Sequence, residues 1–340
     1  MFLSLSTPLT PSHPSPPPVF YSAVGKEFKG KDIEKGIAVP TCVSVNNCVG
    51  HFSPLSDNTQ EIKEGDLVKI DLGCHIDGFS AQAAHSIVVQ ADASVPVTGR
   101  AADIIQAAHT CYEAAARLIR PGRRISEVAP ILAQIAEAYD CRLVEGVMSH
   151  QMNRFIIDGG KVVLNRPPPE QKIEDAEFEE GEVYAIDVIM STGDGKPKMT
   201  EERETTVFKR ALDTQYQLKI KAARELFAEI NKKYPTMLFS LRGLEDGGGA
   251  GRTRLGLADC LAHGLLQAYP VTYEKSGDLV AQFKGTFLLT PNGSDRITSA
   301  SVQGVVSDKS GVESEEIKTL LATSLKKKKG KKAAKEATKV

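Results

Sequence analysis

Asp71 and Asp187 each stand inside an apolar run, Lys69-Ile70-Asp71-Leu72-Gly73 and Val183-Tyr184-Ala185-Ile186-Asp187-Val188. An ionised carboxylate buried in such a strand costs several kcal/mol unless it is paired, hydrogen-bonded or metal-bound. Backbone amides of a hairpin could satisfy one such group. Two of them suggest one shared polar site. The six cysteines are scattered without CxxC spacing, so they read as reduced thiols of cytosol or nucleus rather than a zinc or redox motif.

The second chemical signal is charge. Residues 326–340 hold eight lysines and one glutamate, net +7, which leaves the first 325 residues with 34 basic and 42 acidic side chains, net -8. The lysines Lys326, Lys327, Lys328, Lys329, Lys331, Lys332, Lys335 and Lys339 form an arm suited to phosphate through counterion release, so structured RNA is a candidate partner. The same run fits a nuclear or nucleolar address, and it lacks interleaved aromatics that would stack bases. Arg117, Arg120, Arg123 and Arg124 could add a local basic patch. Just before the arm, Ile317-Lys318-Thr319-Leu320-Leu321 resembles an LxxLL co-regulator box. Ile317, Leu320 and Leu321 share one helix face, which either meets a partner or packs on the body.

These residues need positioning elements. Leu67 to Cys74 and His85 to Val89 read as strands joined across Asp77-Gly78. Helical spacing covers Thr98 to Ile119, which stops at Pro121-Gly122, and Ile125 to Tyr139. Strands are expected at Cys141 to Glu145, Glu182 to Val188, Thr205 to Lys209 and Val280 to Leu289. Helices are expected at Gln215 to Lys232, Leu255 to Gln267 and Glu315 to Leu325, with a mobile loop at Gly247-Gly248-Gly249. The mixture indicates α+β.

At 340 residues, 41% hydrophobic and 25% charged, the chain can bury a sizeable core, and no run approaches the length of a membrane helix. Residues 1–25 contain six prolines and no Asp, Glu, Lys or Arg, so they read as a disordered arm. They lack the basic start and unbroken apolar run of a secretory signal. A main domain is expected over 26–311 with a helical insertion at about 214–275, then a short helix over 312–325 and the lysine tail.

The run Pro40-Thr41-Cys42-Val43-Ser44-Val45-Asn46-Asn47-Cys48-Val49-Gly50-His51, the Lys-Ile-Asp-Leu-Gly hairpin, Glu180 to Asp187 and Ala281-Gln282-Phe283-Lys284 resemble the type-two methionine aminopeptidases over about Asp32 to Pro291. Val45 to Pro54, Ser149-His150-Gln151 and the lysine tail are most similar to the proliferation-associated, ErbB-receptor-binding group, non-peptidase members with the pita-bread fold. In that family a helical portion would precede Lys35 to Pro40. The Pro/Ser arm stands there instead, and the first half of the fold is expected to lack cover.

The resemblance implies a site that, in the peptidases, holds two divalent ions with two Asp, one His and two Glu. Here Asp71 matches the first Asp, Gln82 the second and His150 the histidine. Asp187 stands at the first Glu and Lys284 at the last, while His51 matches a substrate-contacting histidine. Four carboxylates become two and a cation is added. At an effective dielectric near 20, a charge about 4 Å away contributes roughly 4 kcal/mol. Metal binding should fail, leaving no cofactor, no peptidase activity and a polar remnant satisfied by Lys284. His85 and His263 read as core or surface histidines.

The resemblance implies a pseudoenzyme that binds structured RNA, ribosomal particles or ribonucleoproteins and regulates growth, ribosome biogenesis and translation, in cytoplasm, nucleus and nucleolus. A protein-binding transcriptional co-regulator is the alternative, and an active peptidase follows it.

Overall fold

The computed structural model describes residues 24–27, 29, 30, 32–55, 57–167, 175–201, 205–247 and 250–326. Nearly all of the Pro/Ser arm, Gly248, Gly249 and the tail from Lys327 to Lys339 lie outside the described residues.

The strands are β1 (Lys35–Val45), β2 (Cys48–Gly50), β3 (Leu67–Ile76), β4 (Phe79–Val88), β5 (Arg142–Leu143), β6 (Met148–Met152), β7 (Val162–Leu164) and β8 (Val183–Ser191). They continue as β9 (Val207–Arg210), β10 (Phe239–Ser240), β11 (Leu266–Tyr269), β12 (Thr272–Tyr273), β13 (Val280–Thr290) and β14 (Gly293–Arg296). The helices are α1 (Gly99–Leu118), α2 (Val128–Ala138), α3 (Lys221–Lys233), α4 (Ala250–Ala262) and α5 (Glu315–Ala322).

A nine-stranded sheet runs β1-β3-β4-β13-β8-β6-β7, with β14 against β13 and β5 against β8. Strand alternation gives it two faces with different chemistry. Tyr184, Ile186, Val188, Phe283 and Phe287 point to one face and pack with Ile104, Ile105, Ala108 and Cys111 of α1 and Leu132 and Ile135 of α2. Alanines along α1 let the helix approach closely and bury almost its whole length. The intervening positions Asp187, Lys284, Asp71 and Lys69 fall on the opposite face, where the polar site lies.

On that side Ala38 and Cys42 of β1 pack with Val207, Met237 and Leu238, which cover the first strand. A second core lies between β9 and β11, including Phe208, Leu226, Ile230, Phe239 and Cys260.

β3 and α1 stand where hydrophobic spacing puts them, whereas β4 starts directly after the turn at Phe79 rather than at His85, and the stretch from Ile125 opens with a 3-10 turn before α2 begins at Val128. Leu255 to Gln267 does not form one helix. α4 ends at Ala262, Gly264 takes φ +66°, and Leu266 to Tyr269 pair with β9 as a strand. The apolar spacing of Leu261, Leu265 and Leu266 suits both periods, and the left-handed glycine decides between them. The helix expected from Gln215 starts only at Lys221, and the strand at Cys141 shrinks to Arg142–Leu143.

Candidate functional site: a lysine between two buried acids

The site sits on the inner strands β3, β13 and β8. Lys284 Nζ lies 2.6 Å from Asp71 Oδ2 and 3.0 Å from Asp187 Oδ2, with all three side chains nearly inaccessible to solvent. The register explains the meeting, because Lys284 is directly opposite Asp187 on β8 and opposite Ala84 on β4, itself the partner of Asp71. Gln282, two residues earlier on the same face, donates from Nε2 to Asp187 Oδ1 (2.9 Å). Ser149 Oγ accepts from the Asp187 N–H at 3.0 Å, and Asn165 Nδ2 donates to the Asp187 carbonyl at 2.7 Å.

Burial pulls the Lys284 pKa down, but the charges of Asp187 and Asp71 push it up by more, so the ammonium persists beyond the ordinary lysine range. Burial pushes the Asp71 carboxyl up, Lys284 pulls it back, and it stays above its ordinary value. Asp71 Oδ1 is buried without a hydrogen-bond partner.

The other residues of the expected site do not converge on a ligand. Gln82 is on the face of Asp71, but its side chain crosses Gly73, and Nε2 reaches Met152 Sδ (3.2 Å) and Ser80 Oγ (3.4 Å). His150 on β6 is lowered in pKa by burial and then by Lys284, and its Nδ1 is buried without a partner. His51 adopts φ 60°, meets the Tyr269 ring edge-on at 5.3 Å, and is lowered by burial and by Lys284. Both imidazoles are therefore biased neutral.

A pair of divalent ions needs bridging carboxylates to offset mutual repulsion. Here the oxygens that could bridge, Asp71 Oδ2 and Asp187 Oδ2, already embrace an ammonium, so the donor set does not fit a dimetal centre. Among the described residues no group of three or more His, Cys, Asp or Glu is placed to hold a metal ion.

Residues 23–210 match metallopeptidase family M24. The chain belongs to that family. It is 53% identical to an ErbB-3 binding protein 1 from Solanum tuberosum, over 91% of this chain and 79% of that protein. It is 46% identical to proliferation-associated protein A of Dictyostelium discoideum, again over 91% and 79%. Its fold is similar to the solved structure of a thermophilic Arx1, with TM-score 0.82 and 30% identity over 90% of this chain and 88% of that one. This M24 chain thus has the pita-bread fold, and these relatives bear names of binding and proliferation-associated proteins rather than of peptidases.

Two residues missed in the sequence reading shape this M24 site. Gln282 holds Asp187, and Lys69, 1% exposed, donates to the carbonyls of Asn46 and Val280, both at 2.9 Å. Each is two residues from a site residue in an apolar strand, so the period-2 spacing that exposed Asp71 would have found them.

Outside the site, Ile317 is fully buried, and Leu320 and Leu321 pack against the α1 core. The stripe that would face a partner is therefore turned to the body. The basic patch is largely neutralised, because Arg117 pairs with Glu113 (2.6 Å), Arg123 with Glu127 (2.5 Å) and Arg124 with Asp175 (2.7 Å). Of the tail, Lys326 is described, and it pairs with Asp295 at 2.8 Å. His85 packs edge-on against Phe283, and His263 stacks on Tyr216.

Proposed function

We propose that this M24 chain is a non-catalytic binding protein that engages structured RNA within ribosomal particles and thereby regulates growth, ribosome biogenesis and translation, in cytoplasm, nucleus and nucleolus. The observation that carries the reading is the Lys284 ammonium held by Asp71 and Asp187, which puts a fixed cation where a peptidase needs metal. With the chemistry displaced, charge distribution supports binding. A body of net -8 repels phosphate at long range, and the +7 tail supplies the attraction. The proliferation-associated names of the relatives accord with a growth role. The co-regulator alternative would have to undock the helix that carries Ile317.

The test is binding of a structured RNA across a salt series, with the full chain and with residues 326–340 deleted. If about five tail lysines neutralise phosphates, log affinity falls against log salt with a slope of about -4 to -5. The deletion should weaken binding and flatten that slope together. Unchanged affinity and slope would show that the tail is only an address.

A further inference from the structure

The residues that lead into the lysine arm are fastened to one corner of the body. Thr323 closes α5, where its Oγ1 donates to the Leu320 carbonyl at 2.6 Å and its own carbonyl accepts from Arg117 Nε of α1 at 2.9 Å. Leu325 packs on the α1 core, and its carbonyl accepts from the Ser294 N–H of β14 at 3.0 Å. Lys326 then forms an antiparallel bridge with Gly293, and its Nζ meets Asp295 Oδ2 at 2.8 Å. The corner itself is braced, because Ser294, 1% exposed, donates from Oγ to the Ile119 carbonyl at the end of α1 at 2.8 Å.

The close approach of the two backbones depends on a glycine. Gly293 takes φ +129°, and a Cβ there would collide with the Leu325 carbonyl oxygen. The fastening ends where the charge begins, since Lys326 is the first of the eight lysines of the arm. Its ion pair with Asp295 is about half exposed and contributes little alone, so the backbone bonds and the Leu325 side chain hold the segment. An arm that acted only as a tethered charge would need no such root, because a flexible link suffices. A flexible link spreads the arm through a volume set by its length, whereas a fixed root presents the first charges at one place on the body.

We infer that Thr323 to Lys326 form a clamp on the α1–β14 corner that roots the lysine arm, with Gly293 as the positioning residue, so that arm and body engage a ribosomal particle as one surface. This rests on the reading of the chain as a binder of RNA within ribosomal particles and adds the geometry of that contact.

The probes are purified ribosomal particles and a short structured RNA. They are offered to the full chain, to Gly293→Ala, and to a full chain with a short Gly/Ser insertion between Lys326 and Lys327. Both changes keep every charge, so the salt slope should stay at its wild-type value. Gly293→Ala opens the clamp. The insertion keeps the clamp and the fold but uncouples the arm from them, so lost stability in the first variant cannot explain a loss in the second. Affinity for the particles should fall about three- to tenfold in both, because the link now dilutes the arm around the body. Affinity for the short RNA, which the arm meets alone, should not change. Wild-type affinity for the particles in the insertion variant, or an equal loss on the short RNA, overturns the role of the clamp and leaves the proposed function standing. A wild-type chain that binds neither probe overturns both.

Discussion

Replacing Lys284 by methionine leaves Asp71 and Asp187 buried on one sheet face without the cation that bridges them. Removing one partner of a buried ion pair costs about 3–5 kcal/mol, so Lys284→Met is expected to unfold at clearly lower urea. The pH response carries the sign. The upward pushes of burial and of Asp187 on Asp71 remain while the Lys284 pull is gone, so its folded pKa rises further above the unfolded value. Between the two values the folded chain then binds more protons, and the stability of the variant falls as pH rises through that window. Lys69 gives the opposite slope. Burial lowers its pKa from 10.5 to about 7, so between these values the unfolded chain binds more protons and stability rises with pH. Urea titrations should show that contribution in the wild type and its absence in Lys69→Met. The loss of two hydrogen bonds to Asn46 and Val280 shifts the variant's curve without tilting it. Asp71 and Asp187 were legible in the sequence because a charge in an apolar strand violates its surroundings. The orientation of Gln82 was not, because it depends on Met152, a distant contact without a local signal.

At the scale of elements, α5 is the test of what an apolar stripe is for. Ile317 is fully buried against the α1 layer, and Ile→Ala at such a site costs about 2–5 kcal/mol. Ile317→Ala should lower chemical stability by that amount. If stability is unchanged and only partner binding is lost, the helix is an exposed co-regulator box. α1 and the β3–β4 hairpin were readable because period and turn residues agreed, Pro121-Gly122 and Asp77-Gly78 closing each element. β1 was not, since its edge is decided by long-range pairing of Lys35 to Val45 with β3 and by cover from Met237 and Leu238. The strand at Leu266 was misread because its apolar neighbours also fit a helix.

Over the whole molecule, the separation of a -8 body from a +7 tail was fully legible, since it is a count. The family resemblance also placed Lys284 at the site, but whether its ammonium reaches both acids depends on the register of β13 with β8 and β4, which only the fold supplies. That ammonium between Asp71 and Asp187 is the centre of the account. Its most direct test is release of N-terminal methionine from short peptides by the purified full chain, with cobalt, manganese, zinc or magnesium added in turn. The account predicts no release above the peptide-only control with any of them. Measurable release that Asp71→Ala abolishes would contradict it.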